Sequence, residues 1–316
     1  MPGTPGQMQR PRSSLPAQIR RGLDEPHLVV RRLNELYFDL HRQYIDRTDR
    51  VDFFEEDWDN LLLLDACRYD TFTDVVDMPG SLESRHTESS STIEFLSRYL
   101  DGRELTDTVY VTANPQHYRK SEREFVSVEF HDVIEIWQED GWDETHRTVR
   151  PETVADAAER AAERYPNKRL LVHFLQPHYP YLGPTGQEHF DNDSLDFFNR
   201  VMNGDVDIGT ETLRRAYREN LEVALPSVER LFESLQGKTV VSADHGEMFG
   251  ERSFPLPMRE YGHPSGIHTE ELTKVPWHVY DEGPRKEIRD GESSTTDRED
   301  VATDVVEERL RDLGYA

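Results

Sequence analysis

The chain has 316 residues, 63 acidic and 37 basic side chains, and a formal charge of −26. So negative a surface argues against nucleic acid as a partner, and the length suits one sizeable α/β core. No apolar run approaches the roughly 18 residues of a membrane span. We therefore expect a cytoplasmic protein without a transmembrane segment, whose oligomeric state the sequence leaves open.

The first part of the chain predicts a tail and a helix. Residues 1–25 are rich in Pro, Gly and Arg, which predicts a disordered tail. Pro26 favours the start of a helix within residues 26–50. Its apolar residues recur at helical spacing, and we interpret that stripe as core packing, with a partner-binding or membrane-surface helix as the alternative.

Two buried-strand patterns each end in an acidic residue. Four leucines precede Asp65, and a Val-Val pair shortly precedes Asp244 and His245. Ligands of open α/β sheets bind at the carboxyl ends of the strands, so we expect the three side chains to meet there. Carboxylates and an imidazole suit a divalent ion such as Zn, Mn, Ca or Mg. The alternative is a helix N-cap at Asp65 and a simple turn at Asp244.

The rest of the chain continues the α/β pattern. Residues 168–175 predict a third strand leading to the same edge, and we interpret His173 within it as a core histidine. Residues 183–210 form a possible cap loop, and residues 281–297 a flexible segment. We predict one domain over residues 26–316, a three-layer α/β/α fold with a largely parallel central sheet.

Three motifs together resemble the alkaline phosphatase/sulfatase superfamily. They are Asp65 with Arg68 and Asp70, then Ser-Ala-Asp-His-Gly-Glu at 242–247, then Gly-His-Pro at 262–264 followed by the run 267–276. The resemblance implies an alkaline-phosphatase-like fold. It also implies a metal-dependent hydrolase that cleaves sulfate or phosphate esters, on a small molecule or a glycan, through a covalent seryl intermediate.

The resemblance implies a hydroxyl nucleophile within residues 85–96. The Cys/Ser-x-Pro/Ala-x-Arg pattern of formylglycine sulfatases is absent. Residues 85–96 are more similar to lipoteichoic-acid-synthase-type relatives, where the spacing to Glu-Phe-Leu implies Ser90. Ser89, Ser91 and Thr92 stay open, and the same residues would also suit an N-cap cluster.

The resemblance also implies roles for the remaining polar residues. His178, His263 and Arg68 would neutralise the ester's oxygens, and His263 or His268 would protonate the leaving group. One metal is favoured over two. The alternatives are a phosphoglycerol- or phosphoethanolamine-type transferase acting on a glycan or lipid, and a catalytically degenerate protein that binds an anionic ligand. The acidic, lysine-poor composition also resembles that of proteins from salt-loving archaea, which predicts a halophilic protein.

Overall fold

The computed structural model describes residues 26–41, 50–122, 125–138, 141–190, 197–293 and 301–315. The predicted tail 1–25, the stretch 42–49 of the predicted N-terminal helical region and the end of the predicted flexible segment lie outside these residues. The helices are α1 (Pro26–His41), α2 (Tyr69–Val75), α3 (Thr92–Phe95), α4 (Gln116–Glu122), α5 (Pro151–Arg164), α6 (Pro184–His189), α7 (Phe197–Asn203), α8 (Thr210–Ser234), α9 (Glu270–Thr273) and α10 (Thr303–Asp312). A π-helical turn, Leu96–Leu100, continues α3.

The strands form one large sheet and two small hairpins. They are β1 (Asn60–Leu64), β2 (Ser81–His86), β3 (Glu104–Thr112), β4 (Glu129–Glu135), β5 (Trp142–Asp143), β6 (Thr148–Val149), β7 (Arg169–Phe174), β8 (Thr239–Ser242), β9 (Met248–Arg252), β10 (Arg259–Gly262) and β11 (Lys274–Tyr280). The seven-stranded sheet has the order β2-β11-β8-β1-β7-β3-β4. Neighbours from β8 to β4 are parallel, and β11 runs against both of its neighbours.

The central strand β1 shows why the sheet is covered on both faces. Leu62 and Leu64 belong to a core cluster that includes side chains of α5 and α8. Leu61 and Leu63, which point the other way, belong to a cluster that includes Phe95 and other aromatic side chains. Because alternate residues of a strand face opposite sides, a run of leucines needs apolar partners above and below it. The predicted three-layer fold is confirmed.

Helix α1 differs from its prediction. Four apolar residues of its stripe are exposed: Val29 by 47%, Leu33 by 49%, Leu36 by 40% and Leu40 by 68%. The helix is held instead by Asn34, whose side chain bonds Ser253 and the backbone of Leu256, and by buried Phe38. The interpretation of that stripe as core packing was wrong, because a polar anchor sets which face of α1 turns inward. No helix in the described part of the chain is long and apolar enough to cross a membrane.

The described part of the predicted cap loop contains α6 and α7. Phe190 and Phe197 from this region pack against Tyr179 and Tyr217. Tyr179 directly follows His178, so the packing ties this region to a residue predicted for the site. Residues 281–293, the described part of the predicted flexible segment, contain neither helix nor strand.

Candidate active site

The carboxyl ends of three neighbouring parallel strands bring the predicted metal ligands together. Asp65 follows β1, Asp244 follows β8, and both side chains are fully buried. His173 near the end of β7 and Thr92 at the start of α3 lie against them. We call these four residues and His245 the carboxylate cluster.

Thr92 provides the hydroxyl of the carboxylate cluster. Its Oγ1 lies 3.4 Å from Asp65 Oδ1 and 3.2 Å from His245 Nε2. His245 Nε2 also lies 3.5 Å from Asp65 Oδ1 and 3.4 Å from Asp244 Oδ2. One hydroxyl, two carboxylate oxygens and one imidazole nitrogen therefore converge on the same small volume.

Hydrogen bonds to some atoms of these side chains determine which of their other atoms are left to bind a cation. His245 Nδ1 lies 2.8 Å from Gly246 O, which can only accept, so Nδ1 carries the proton and Nε2 presents a lone pair. Asp244 Oδ1 accepts the backbone N–H of Ala66 and of His245. Asp244 Oδ2 and His173 Nε2 are buried, 3.7 Å apart, and without a hydrogen-bond partner among the described residues. Such a set of buried electron-rich atoms fits a divalent cation.

Burial also shifts the titration of these groups. Burial, and then the neighbouring Asp244, raise the pKa of Asp65 well above its ordinary value, and burial raises the pKa of Asp244. Burial lowers the pKa of His173 to about 4 and that of His245 well below its ordinary value. The imidazoles are therefore neutral, the form that binds metal, and the carboxyl groups ionise most readily when a cation is bound.

A second group of potential ligands lies beside the first. The ligand atoms of His178, Glu247 and His263, which we call the histidine cluster, all lie within 4.8 Å of one another. The ring of His263 lies 4.8 Å from that of His178 and 4.7 Å from that of His245, measured between centroids. His263 thus connects the histidine cluster to the carboxylate cluster.

The histidine cluster has the same chemical features as the carboxylate cluster. His178 Nδ1 lies 2.5 Å from Tyr179 O, which leaves Nε2 with a lone pair. His178 Nε2 and Glu247 Oε2 are buried and make no hydrogen bond within the described part of the chain. Burial lowers the pKa of His178 to about 3 and of His263 to about 4, and raises that of Glu247 to about 8. These three residues also fit a divalent cation.

The structure does not bring Ser90 into either cluster. Ser90 Oγ accepts the N–H of Gly266 at 3.0 Å, and its own hydroxyl lies 3.0 Å from Glu94 Oε2 and 3.1 Å from Pro264 O. Its predicted neighbours are engaged as well. Ser89 Oγ donates to Asp244 O at 2.6 Å, and Ser91 Oγ caps α3 by accepting the N–H of Glu94. Of the four hydroxyls, Thr92 is the one that contacts Asp65 and His245.

Arg68 and His268 also make contacts other than those predicted. Arg68 binds Asp70 through Nε at 2.8 Å and Glu251 through Nη1 at 2.7 Å, so two carboxylates neutralise its charge. His268 Nε2 lies 3.2 Å from Glu94 Oε2. The described contacts of Arg68 join the segments around β1 and β9, and those of His268 join α3 to the segment before α9.

Gly246 has a packing role that the sequence did not indicate. A Cβ built on Gly246 lies 2.0 Å from the backbone oxygen of Glu271, and the Gly246 N–H donates to Leu272 O at 2.8 Å. Glycine is therefore needed because the turn after Asp244 presses against the chain that enters β11.

Three residues that contact Asp65 or Asp244 were not predicted from the sequence as part of the site. His173 does have a core partner, since Nδ1 lies 2.9 Å from Tyr110 OH, but Nε2 faces Asp244. Asn114 and Tyr315 both donate to Asp65 Oδ2, at 2.7 and 2.6 Å. No pattern of residue types indicated Asn114. The sequence Leu-Gly-Tyr at 313–315, which follows α10, is a helix-terminating signal and could have predicted a turn there.

The fold and the site together define a class, a three-layer α/β protein with two candidate metal clusters at the carboxyl edge of its sheet. No family model and no curated protein matches the chain. Similar solved structures include the C-terminal periplasmic domain of phosphoethanolamine transferase EptC from Campylobacter jejuni, which is 13% identical over 70% of this chain and 78% of that chain, with a TM-score of 0.44. A 2-O GAG sulfatase is 11% identical over 71% of this chain and 64% of that chain, with a TM-score of 0.45. The phosphonate monoester hydrolase of Agrobacterium radiobacter is 12% identical over 70% of this chain and 67% of that chain, with a TM-score of 0.40.

All three are members of the alkaline phosphatase/sulfatase superfamily, which the motifs of this chain resemble. The similarity is one of fold at low identity. We therefore take the function from the geometry of the two clusters.

Proposed function

We propose that this protein is a metal-dependent enzyme that cleaves phosphate or sulfate esters through a covalent ester of Thr92. The observation that carries the proposal is the position of Thr92 Oγ1, 3.4 Å from Asp65 Oδ1 and 3.2 Å from His245 Nε2. Atoms of this kind suit a divalent cation, and a cation beside a hydroxyl lowers its pKa and makes it a better nucleophile.

Thr92 replaces Ser90 as our candidate nucleophile. The Ser90 oxygen already accepts one hydrogen bond, from Gly266, and its proton has acceptors in Glu94 and Pro264. An attacking oxygen needs a free lone pair next to the activating groups. Thr92 Oγ1 meets this requirement, since two ligand atoms of the carboxylate cluster, Asp65 Oδ1 and His245 Nε2, lie beside it.

The two clusters support a site for two divalent ions. Asp65, Asp244 and His245 would hold the first, with His173 beside them, and the histidine cluster would hold the second. Mixed carboxylate and imidazole ligands suit Zn or Mn better than Ca or Mg, which prefer oxygen. When bound, the ions would supply Lewis-acid stabilisation of the charge on the ester. On a chain with a formal charge of −26, such local positive charge is what attracts an anionic substrate.

Each of these residues has its own role in the proposed reaction. Thr92 Oγ1 forms a bond to phosphorus or sulfur as the bond to the leaving oxygen breaks. The hydroxyl proton passes to water and on to the leaving oxygen, because Asp65 and His245 would hold the cation. His178, Glu247 and His263 would hold the second ion, whose charge would neutralise the non-bridging oxygens. Water then displaces Thr92 and regenerates the hydroxyl. The substrate class is a phosphate or sulfate ester of a small molecule or glycan.

A kinetic comparison of two hydroxyl variants tests this proposal. The assay measures turnover of nitrophenyl phosphate, phenylphosphonate, bis-nitrophenyl phosphate and nitrophenyl sulfate in high salt with Zn²⁺ or Mn²⁺. Thr92→Ala should lose at least about 10³-fold in kcat, because the covalent route is removed, while metal still binds. Thr92→Ser keeps the hydroxyl and should keep measurable activity.

Ser90→Ala is the matched control, since it removes a buried hydroxyl only two residues away. It should lose far less activity than Thr92→Ala, with a stability cost of about 1 kcal/mol for the lost hydrogen bonds. A fully active Thr92→Ala protein would refute the nucleophile. Turnover that appears only when an acceptor alcohol is added would indicate a transferase, and metal binding without turnover of any ester would indicate the degenerate, ligand-binding alternative.

A further inference from the structure

Asp65 has two carboxylate oxygens in different surroundings. Oδ1 lies against Thr92 and His245, and Oδ2 contacts other groups. Oδ2 accepts a hydrogen bond from Asn114 Nδ2 at 2.7 Å and another from Tyr315 OH at 2.6 Å. Two donors on the outer oxygen hold the carboxylate plane, and this determines where Oδ1 points.

Tyr315 is brought to the site by helix α10 and the turn that follows it. Val306, Leu310 and Leu313 are buried in the main core cluster, which docks the helix on the rest of the protein. Gly314, at φ +78°, ends the helix, with its N–H donating to Arg311 O at 3.0 Å and the N–H of Tyr315 to Leu310 O at 2.8 Å. This pair of bonds is a Schellman motif, which reverses the chain over the last helical turn.

The ring of Tyr315 also contacts the histidine cluster. It stacks on the imidazole of His178, with centroids 4.9 Å apart and an interplanar angle of 16°, and lies 5.8 Å from the ring of His263. Its hydroxyl, which also accepts from Asn114 Nδ2 at 3.2 Å, reaches the carboxylate cluster. One side chain therefore contacts a candidate ligand in each cluster.

We infer that Tyr315 is a positioning residue for both metal clusters. Its hydroxyl orients Asp65 through Oδ2, and its ring orients the imidazole of His178. Groups that hold metal ligands from behind lower the entropy that the ligands lose on binding and commonly change metal affinity by about 10- to 100-fold. Docking of α10 thus completes the site, although α10 contributes no ligand of its own. This inference rests on the metal sites of the proposed function.

The test measures metal affinity of the full chain, which does not depend on turnover. Zn²⁺ is titrated into the metal-free protein in competition with a chromophoric chelator. Tyr315→Phe, which keeps the ring and loses the hydroxyl, should weaken the tighter Zn²⁺ site by about tenfold. Tyr315→Ala, which loses both contacts, should weaken binding at both sites.

Tyr118→Phe is the matched control. Tyr118 OH accepts the N–H of Val301 at 3.0 Å, so this change removes a hydroxyl that contacts the segment leading into α10 without touching Asp65. Its Zn²⁺ affinity should equal that of the unchanged protein. An equal loss in Tyr118→Phe would overturn the inference, because the effect would then come from docking alone.

Two other outcomes also overturn it. Tyr315→Phe removes the hydrogen bond to Asp65 and keeps the ring, so a Zn²⁺ affinity equal to that of the unchanged protein would remove the positioning role. Tighter binding and faster turnover in Tyr315→Ala would show that the ring blocks the site. If the unchanged protein itself binds no Zn²⁺ or Mn²⁺, the proposed function fails first, which distinguishes the two failures.

Discussion

Replacing Asp244 by Asn should stabilise the metal-free protein and abolish the stabilisation that metal gives at the first site. Asp244 is fully buried, and burial raises the pKa of its carboxyl. Asn can keep the two backbone hydrogen bonds that Oδ1 accepts. Its Nδ2 would replace Oδ2, which has no partner among the described residues, and could donate toward His245 Nε2 or His173 Nε2, now 3.4 and 3.7 Å away.

The size of this effect follows from the cost of an unsatisfied buried acceptor, about 1–3 kcal/mol. The metal-free variant should therefore melt roughly 4 °C higher than the unchanged protein, for a gain of about 2 kcal/mol. The unchanged protein should gain about 2.7 kcal/mol when the metal concentration is about 100 times Kd, and the variant should gain nothing from the first site. The substitution should have opposite effects on the metal-free and the metal-bound protein, because the same carboxylate destabilises the first and binds the ion in the second.

Thermal melting in high salt, with chelator and then with Zn²⁺ or Mn²⁺, measures both effects. Asp74→Asn is the control for the change in net charge, since Asp74 is exposed on α2. It should leave both melting temperatures nearly unchanged. If Asp244→Asn melts several degrees lower without metal and still gains stability from metal, the carboxylate cluster is a packing feature and our assignment is refuted.

Titration, close packing and surface charge give three further predictions. Burial raises the pKa of Glu247 from 4.5 to about 8, so its contribution to stability is full below about pH 4.5 and is lost as pH rises through 8. In the presence of chelator, this group should lower the free energy of unfolding by up to about 1.4 kcal/mol per pH unit between pH 4.5 and 8. Glu247→Gln should reduce this dependence of the unfolding free energy on pH. The same pH dependence in the variant and in the unchanged protein would contradict the prediction. Gly246→Ala should lower the melting temperature and metal affinity, because its Cβ would lie 2.0 Å from Glu271 O, and unchanged values would show that the turn adapts. Lowering salt from molar to about 0.1 M should destabilise a chain of charge −26, and a flat melting temperature would show that its acidity is not an adaptation to salt.

The sheet and the carboxylate cluster could be predicted because both depend on short stretches of sequence. An apolar run that ends in Asp65, and another that ends before Asp244, are strand signals with a candidate ligand placed at the end of each. Parallel pairing then brings the two ends together without further information. The exposed stripe of α1 could not be predicted in this way, since helical periodicity shows that apolar residues share a face but not which face is covered.

The choice of candidate nucleophile depends on the register of residues 89–92, which sequence spacing alone does not determine. A shift of two residues separates Ser90 from Thr92, and near a helix start neighbouring residues point in very different directions. Ser91 caps α3, and that places Thr92 as the first helical residue, facing Asp65. The capping geometry, and not the count to Glu94, decides which hydroxyl faces the carboxylates.

Residues that act through long-range packing were also beyond sequence reasoning. Tyr315 is 250 positions from Asp65 along the chain and meets it through the docking of α10. His173 was assigned to the core, and one of its two nitrogens does have a core partner. Contacts of this kind depend on the tertiary arrangement of elements, which no local pattern of residue types encodes.

The covalent ester on Thr92 is the central claim, and trapping it is the most direct test. The metal-loaded protein is mixed with an excess of nitrophenyl phosphate or nitrophenyl sulfate, quenched in acid within the first turnovers, digested and mapped by mass spectrometry. We predict a phosphoryl or sulfuryl group on Thr92 in the unchanged protein and in Ser90→Ala, and none in Thr92→Ala. An adduct on Ser90, or an active Thr92→Ala protein that traps no adduct, would contradict the account.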